Sequence, residues 1–194
     1  GKAVESAVVD DPLAWIEEFQ GRFRSPELPG MPRFTGGLGG YFGYDTVRYV
    51  EPRLAENVPP DRMGTPDILL MVSEEVLVFD NLAGTIRLVV NADPSVDGAL
   101  EKAQQRLKEL VALLREPMRP LPEVTLGAAQ SAVTTFLRRS ILRGNTMNPQ
   151  EFAALAAQDY NRIPVSTEVL ADLETPISTY RKLAEGPYSY FFES

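Results

Sequence analysis

The 194 residues are 44% hydrophobic and 24% charged, and no apolar run reaches the ~18 residues of a membrane helix, so composition predicts a cytoplasmic globular protein with a packed core. The net charge of −8 argues against nucleic acid or an anionic membrane as the partner, because phosphate binding needs a basic surface. The absence of Cys and His excludes disulfides, zinc–thiolate sites and catalysis by an imidazole or a thiolate.

The first third of the sequence predicts one helix and one glycine-rich strand. Residues 10–12 (Asp-Asp-Pro) have the form of a helix start, and the large apolar residues of 15–23 then fall on one helical face. The stretch 36–43 is too rich in glycine for a helix, and Tyr41 and Phe42 predict a strand that leaves a tight glycine turn. Because Phe42 stands where G-x-G-x-x-G needs its third glycine, we expect close backbone packing rather than a phosphate loop.

Three apolar runs and a long amphipathic helix follow. The runs are residues 68–72, 76–79 and 86–90, and residues 81–84 supply a hairpin turn between the last two. An antiparallel meander is the simplest arrangement of these strands. Between residues 100 and 114, leucine and alanine recur at alternating spacings of three and four, which predicts a helix whose apolar stripe packs on the core.

The middle of the sequence differs in character. Prolines at 117, 120 and 122 end the helix and predict a linker. Residues 127–146 contain three arginines and no acid, which favours a basic amphipathic helix that ends at Gly144 and Asn145. Its arginines form either a solvated face or a docking surface for another chain. Residues 123–146 have no family assignment.

The last segment begins like the start of a natural protein. Residues 147–151 (Met-Asn-Pro-Gln-Glu) combine an N-cap, a proline at the first helical position and a capping-box glutamate. Pro164 breaks the helical pattern. A second short helix is predicted from Thr175-Pro176 to the stop at Gly186-Pro187, and residues 188–192 alternate as a strand would.

Three stretches resemble a known family. They are PRFTGGLGGYFGYDTVRYVEP (32–52), PDILLMVSEEVLVFDNLAGTIRLVVNADP (66–94) and NRIPVSTEVLADLETPISTYRKLAEGPYSYFFES (161–194). Over residues 7–122 and 147–194 the chain resembles component I of bacterial anthranilate synthase. Component I of aminodeoxychorismate synthase is related but a poorer match. The resemblance implies an α+β fold, an antiparallel β-sheet system with packed helices.

The resemblance also implies an unusual order of segments. In the family, the segment that resembles 147–194 opens the protein, and the one that resembles 1–122 follows as the second part of the amino-terminal domain. The expected explanation is a circular permutation or a fusion of two fragments, joined at 117–146. The family's chorismate and magnesium motifs and its catalytic His do not occur in this sequence. We therefore assign this chain no catalytic residue, no metal ligand and no cofactor, with magnesium expected only in the absent catalytic domain.

The resemblance points to an amino-acid site. In the family, a Glu-Ser pair lines the pocket for the feedback inhibitor L-tryptophan, which corresponds to Glu193 and Ser194. A carboxylate can accept from the ligand ammonium and a hydroxyl can donate to its carboxylate. Tyr44 and Asp45 are further candidates for this pocket, although aromatic strand residues more often belong to a core.

The implied function is allosteric feedback sensing of L-tryptophan in tryptophan biosynthesis, without lyase activity in this chain alone. Two alternatives remain open from the sequence. One is an interaction module that docks the glutamine amidotransferase subunit. The other is a full enzyme whose catalytic half lies on a separate chain.

Overall fold

The computed structural model describes residues 5–56, 58–62, 64–117, 142–143 (backbone only), 147–171, 174–184 and 189. Their fold is α+β, as expected, with antiparallel strands and packed helices. The strands are β1 (Gly37–Phe42), β2 (Ile68–Ser73), β3 (Glu75–Asp80), β4 (Thr85–Ala92), β5 (Leu142–Arg143) and β6 (Ile163–Leu170). The helices are α1 (Pro12–Gly21), α2 (Val47–Val50), α3 (Ala99–Arg115), α4 (Pro149–Ala156) and α5 (Pro176–Leu183).

The strands form two sheets rather than the predicted single meander. The β3–β4 hairpin is confirmed, and the carboxylate of Asp80 accepts the amides of Leu82 and Ala83 in its turn at 3.0 and 2.8 Å. Strand β2, however, pairs antiparallel with β1 and not with β3. Only Glu74 separates β2 from β3, which is too short for a hairpin turn, so the chain passes directly from one sheet into the other.

The second sheet has the strand order β3-β4-β6-β5, and α3 packs on it. Alternate β4 residues, Ile86, Leu88 and Val90, belong to the same buried cluster as the apolar stripe of α3. Seven residues of α3 are buried, which confirms the predicted helix and its core-facing stripe. Each large side chain buried in this way stabilises the fold by about 1.5–3 kcal/mol.

Strand β6 joins the last segment of the chain to the first. It pairs antiparallel with β4 over eight residues, from Thr85 opposite Leu170 to Ala92 opposite Ile163. No strand is predicted here from the sequence, because Pro164 interrupts the pattern. The backbone amide of Asn91, opposite Pro164, donates to Glu74 on the other side of β4 at 2.9 Å. The backbone nitrogen of residue 164 therefore points away from β4, and a proline there removes no hydrogen bond from the β4–β6 ladder.

The helix predicted over residues 127–146 is wrong where the structure describes it. Leu142 and Arg143 form β5, opposite Val169 and Glu168 of β6. The backbone of β5 pairs with the edge of β6, and this tertiary pairing overrides the local helical pattern. The rest of that predicted helix lies outside the described residues. So does the predicted 188–192 strand apart from Ser189.

The predicted helix starts are confirmed by their caps. The carboxylate of Asp11 accepts the amide of Ala14 at 3.0 Å at the start of α1. Asn148 and Glu151 form a reciprocal capping box on α4, with bonds of 2.8 and 3.2 Å. Within the part of the chain described here, no helix has the length and apolar character needed to cross a membrane.

The glycines of β1 confirm the expectation of close backbone packing. A Cβ on Gly40 would lie 2.1 Å from the carbonyl oxygen of Leu69, far inside van der Waals contact. Gly36 has a φ of 156°, and a Cβ there would lie 2.4 Å from Nδ2 of Asn91. That amide donates instead to the carbonyl of Thr35 at 2.7 Å, at the junction of the two sheets.

Candidate functional site

Two of the four predicted ligand-binding residues lie just after β1. Gly43 directly follows that strand and donates its amide to the carbonyl of Asp67 at 2.7 Å, which holds the following 3₁₀ turn, Tyr44–Thr46, against the start of β2. Tyr44 is 90% exposed. The carboxylate of Asp45 pairs with Arg48 at 2.6 Å, one turn further along the chain. The structure thus places these two side chains at the surface, with the Asp45 carboxylate in an ion pair.

The other two predicted residues, Glu193 and Ser194, lie outside the described part of the chain, and their role stays a prediction. The nearest described position upstream is Ser189. Its carbonyl accepts the hydroxyl of Tyr180 on α5 at 3.0 Å, which ties this point of the chain to α5.

One cleft among the described residues lies where the first and last segments meet. It has a volume of about 410 Å³. Leu28, Met31 and Arg87 line it from the first segment, and Met147 and Leu155 line it from the last. Neither Tyr44 nor Asp45 borders this cleft.

A cross-strand ion pair stands at the wall of this cleft. Arg87 on β4 lies opposite Glu168 on β6, and their charged groups are 2.6 Å apart. The same guanidinium donates to the carbonyl of Gly30 at 2.5 Å, and Ser166 contacts the sulfur of Met31 at 3.4 Å. These contacts balance the arginine charge and hold the 28–31 loop against the sheet.

Arg162, the residue before β6, lines a second, smaller cavity of about 140 Å³. Its guanidinium bonds Asp93 at 3.0 Å, lies 3.6 Å from Glu74 and stacks 5.1 Å above the ring of Phe23. The Ser95 hydroxyl lowers the pKa of the Asp93 carboxyl most strongly, and Arg162 lowers it further. Arg162 therefore connects the region after α1, both sheets and the start of β6.

Asn161 completes this contact between the two segments. Its side chain accepts the amide of Arg24 at 2.8 Å and donates to the carbonyl of Arg22 at 2.7 Å. Sequence reasoning missed Asn161, Arg162 and β6. The residues that could have predicted β6 are 163, 165, 167 and 169, which alternate along the strand and are buried in the structure. The proline at 164 interrupts this alternation in the sequence.

The described residues show no arrangement for metal chemistry. Among them, no group of three or more acidic side chains converges as metal ligands would. Their carboxylates serve in helix caps, turns and ion pairs, as those of Asp11, Asp80 and Glu168 do.

Comparison with known proteins identifies the relatives of this chain. It is 47% identical over 188 residues to anthranilate synthase component 1 of Pseudomonas aeruginosa, a match that covers 94% of this chain and 38% of that protein. The chain is homologous to part of anthranilate synthase component 1. The protein of the same name from Pseudomonas putida is 44% identical over 99% of this chain and 40% of its own length. The protein of the same name from Neisseria meningitidis serogroup B is 35% identical, and the match covers 94% of this chain and 38% of that protein.

These matches define the extent of the relationship. The chain spans about two fifths of the length of these curated relatives of anthranilate synthase component 1. No protein-family model matches the chain, and no solved structure matches it.

Proposed function

We propose that this chain is the L-tryptophan-sensing portion of an anthranilate synthase component 1 that acts in tryptophan biosynthesis, and that it has no lyase activity by itself. The observation that carries the proposal is the 47% identity over 94% of the chain, confined to 38% of the relative's length. The sequence has no His and none of the family's chorismate motifs, which supports a regulatory role over a catalytic one.

The proposed site uses complementary charges for an amino-acid ligand. Glu193 accepts from the ligand ammonium, and Ser194 together with backbone amides donates to its carboxylate. Tyr44, which is 90% exposed, offers an aromatic surface for the indole. Asp45 acts through polarity rather than as the main ammonium acceptor, because Arg48 already pairs with its carboxylate at 2.6 Å.

Regulation by such a site requires differential affinity. L-Tryptophan must bind the inactive arrangement of the complete enzyme more tightly than the active one, since a ligand shifts an equilibrium only by its difference in affinity for the two states. The inter-segment contacts of Arg87 and Arg162 hold β4 and β6 in one sheet. Strand β6, which belongs to the same sequence segment as Glu193 and Ser194, is thereby joined to the core of the first segment.

Ligand-induced stabilisation tests the proposal. At about 100 times its dissociation constant, L-tryptophan should stabilise the folded chain by about 2.7 kcal/mol, measured by thermal shift and calorimetry, and D-tryptophan should not. Glu193→Ala should remove most of the effect, because a hydrogen bond to a charged group contributes about 1.5–3 kcal/mol. The matched control is Glu17→Ala, which removes an exposed glutamate from α1 and should leave binding unchanged.

Three outcomes would contradict the proposal. They are equal shifts with both enantiomers, no shift with L-tryptophan, and an unchanged shift in Glu193→Ala, which would place the ligand elsewhere. In a parallel assay with chorismate, magnesium and ammonia, the chain should form no fluorescent anthranilate. Product formation would refute the absence of lyase activity.

A further inference from the structure

Strand β4 depends on the last segment for one of its two neighbours. In the described sheet it lies between β3 and β6, and β6 pairs with it over its whole length, from Thr85 to Ala92. Six of the eight β4 residues are buried. Without β6, one edge of this apolar strand would present a row of unpaired backbone groups, which is the kind of surface that accepts a further strand. The first segment (described up to residue 117) therefore offers a strand-binding edge, which the last segment (described from residue 147) fills.

Side chains of the two segments fill one core. Val165 and Val169 of β6 are 0% and 4% exposed, and they belong to the same buried cluster as Leu88 of β4 and the apolar stripe of α3. Leu183 on α5 packs against this cluster as well. Apolar side chains of the last segment therefore complete the core of the first, and burial of apolar surface is the main driving force for association.

Charged groups of the first segment match opposite charges of the last. Arg87 on β4 pairs with Glu168 on β6 at 2.6 Å, and Asp93 just after β4 pairs with Arg162 just before β6 at 3.0 Å. The arginine belongs to the first segment in one pair and to the last segment in the other. A shift of the β4–β6 register would separate both pairs. Complementary charges of this kind select a partner and fix its register.

The helices contribute further hydrogen bonds between the segments. The carbonyl of Leu114 is one of the last four of α3, which lack a partner within the helix, and it accepts a hydrogen bond from Nζ of Lys182 on α5 at 2.9 Å. The side-chain amide of Gln104 on α3 donates to the carbonyl of Met147 at 3.1 Å. Side chains of each segment thus bond backbone carbonyls of the other.

The length of chain between the segments does not determine where the last segment docks. Met147 lies beside Gln104, roughly 17 Å along the helix axis from the end of α3 at Arg115. A chain as long as residues 116–146 could span roughly 100 Å when extended, so its length permits many positions other than the observed one. The strand pairing, the shared core and the matched charges therefore select the observed position.

We infer that the first segment binds the last segment through this surface without needing the covalent connection, so that a chain cut between residues 117 and 147 stays associated and keeps its fold. The docking surface is the edge of β4 with the adjoining side of α3. Its partner is an apolar strand with an arginine before it and a glutamate within it, as β6 has. The inference is independent of tryptophan binding, because none of these contacts involves Tyr44, Asp45, Glu193 or Ser194.

Cutting the folded full chain tests the inference. A specific protease site is inserted between Ala129 and Gln130, and the uncut chain with this insertion is the reference. After cleavage, the two pieces should elute together at micromolar concentration, separate in urea and rejoin when the urea is removed. The backbone amides of β4 and β6 should keep their hydrogen-exchange protection.

A pair of arginine variants tests which contacts hold the pieces together. Arg162→Met should raise the dissociation constant of the cut chain about tenfold or more, because it removes a charged hydrogen bond between the pieces. The matched control is Arg106→Met, which removes an ion pair with Glu75 within the first segment and should change the constant by less than about twofold.

Several results would overturn the inference. They are pieces that separate or precipitate at every concentration, equal effects of Arg162→Met and Arg106→Met, and pieces that elute together while β4 and β6 lose their exchange protection. If Arg162→Met does not fold, Asn161→Ala tests the adjacent contact, in which the Asn161 side chain bonds the backbone of Arg22 and Arg24. Exchange protection in the cut but otherwise unmodified chain decides independently of either variant.

Discussion

Val165→Ala tests whether the first and last segments form one cooperative fold. Val165 is 0% exposed, lies opposite Val90 in the β4–β6 ladder and belongs to the cluster that includes α3. The substitution removes two methyl groups, about 0.8 kcal/mol each in lost burial, and leaves a cavity in a packed core. We expect a loss of about 2–3 kcal/mol in the free energy of unfolding.

The reporter for this experiment lies in the other segment. The chain has one tryptophan, Trp15 on α1, whose ring stacks on the buried Phe19 at 5.7 Å. In urea, the transition followed by Trp15 fluorescence should move down by about 1–2 M and coincide with the transition followed by circular dichroism. Val8→Ala is the matched control, since Val8 is fully exposed and its truncation should cost almost nothing.

A shift of the circular dichroism transition in Val165→Ala, with the Trp15 transition unchanged, would contradict this prediction. That result would mean that α1 unfolds independently of β6. It would conflict with the bonds from Asn161 to Arg22 and Arg24, which connect the end of α1 to the start of β6 at 2.7 and 2.8 Å.

Two further predictions concern charge and capping. The pKa of Asp93 is lowered, first by the Ser95 hydroxyl and also by Arg162, so its contribution to stability should be complete above about pH 5 and decline as the pH falls below about 4. Urea titrations of the chain and of Asp93→Asn from pH 7 to pH 3 should converge at low pH, and a constant difference would contradict this. Asn148→Ala should lower the unfolding free energy by about 1 kcal/mol through loss of the α4 capping box, whereas no change in the urea midpoint would show that the cap contributes nothing.

The local elements were predictable because each is encoded by neighbouring residues. The start of α4 follows from Asn148 and Glu151, which are three residues apart and bond to each other's backbone amides. The helix α3 follows from the spacing of its apolar residues, seven of which are buried. In both cases the residues that determine the element lie within one or two turns of it.

The sheet partners were not predictable because they depend on distant residues. The choice of β1 rather than β3 as the partner of β2 follows from the single residue between β2 and β3, which the apolar pattern does not distinguish from a turn. Strand β6 was not predicted because a proline usually excludes a strand. Pro164 is tolerated here because the amide of Asn91, opposite it in β4, donates to Glu74 and not to β6. Of the predicted ligand-binding residues, Tyr44 and Asp45 lie at the surface directly after Gly43, whose amide bonds the carbonyl of Asp67, a contact between residues far apart in sequence.

The contacts between the two segments also bear on the proposed change of segment order. Arg87 and Glu168 are 81 residues apart in the sequence, and Arg162 and Asp93 are 69 apart, yet each pair forms across β4 and β6 or at their ends. The register of these strands is determined by their side chains and not by the connection between them. Doubling the length of a connecting loop costs only about 0.6 kcal/mol in closure entropy. Burial of Ile163, Val165 and Val169, at 0%, 0% and 4% exposure, contributes several times more, so either order of the segments is compatible with the same β4–β6 pairing.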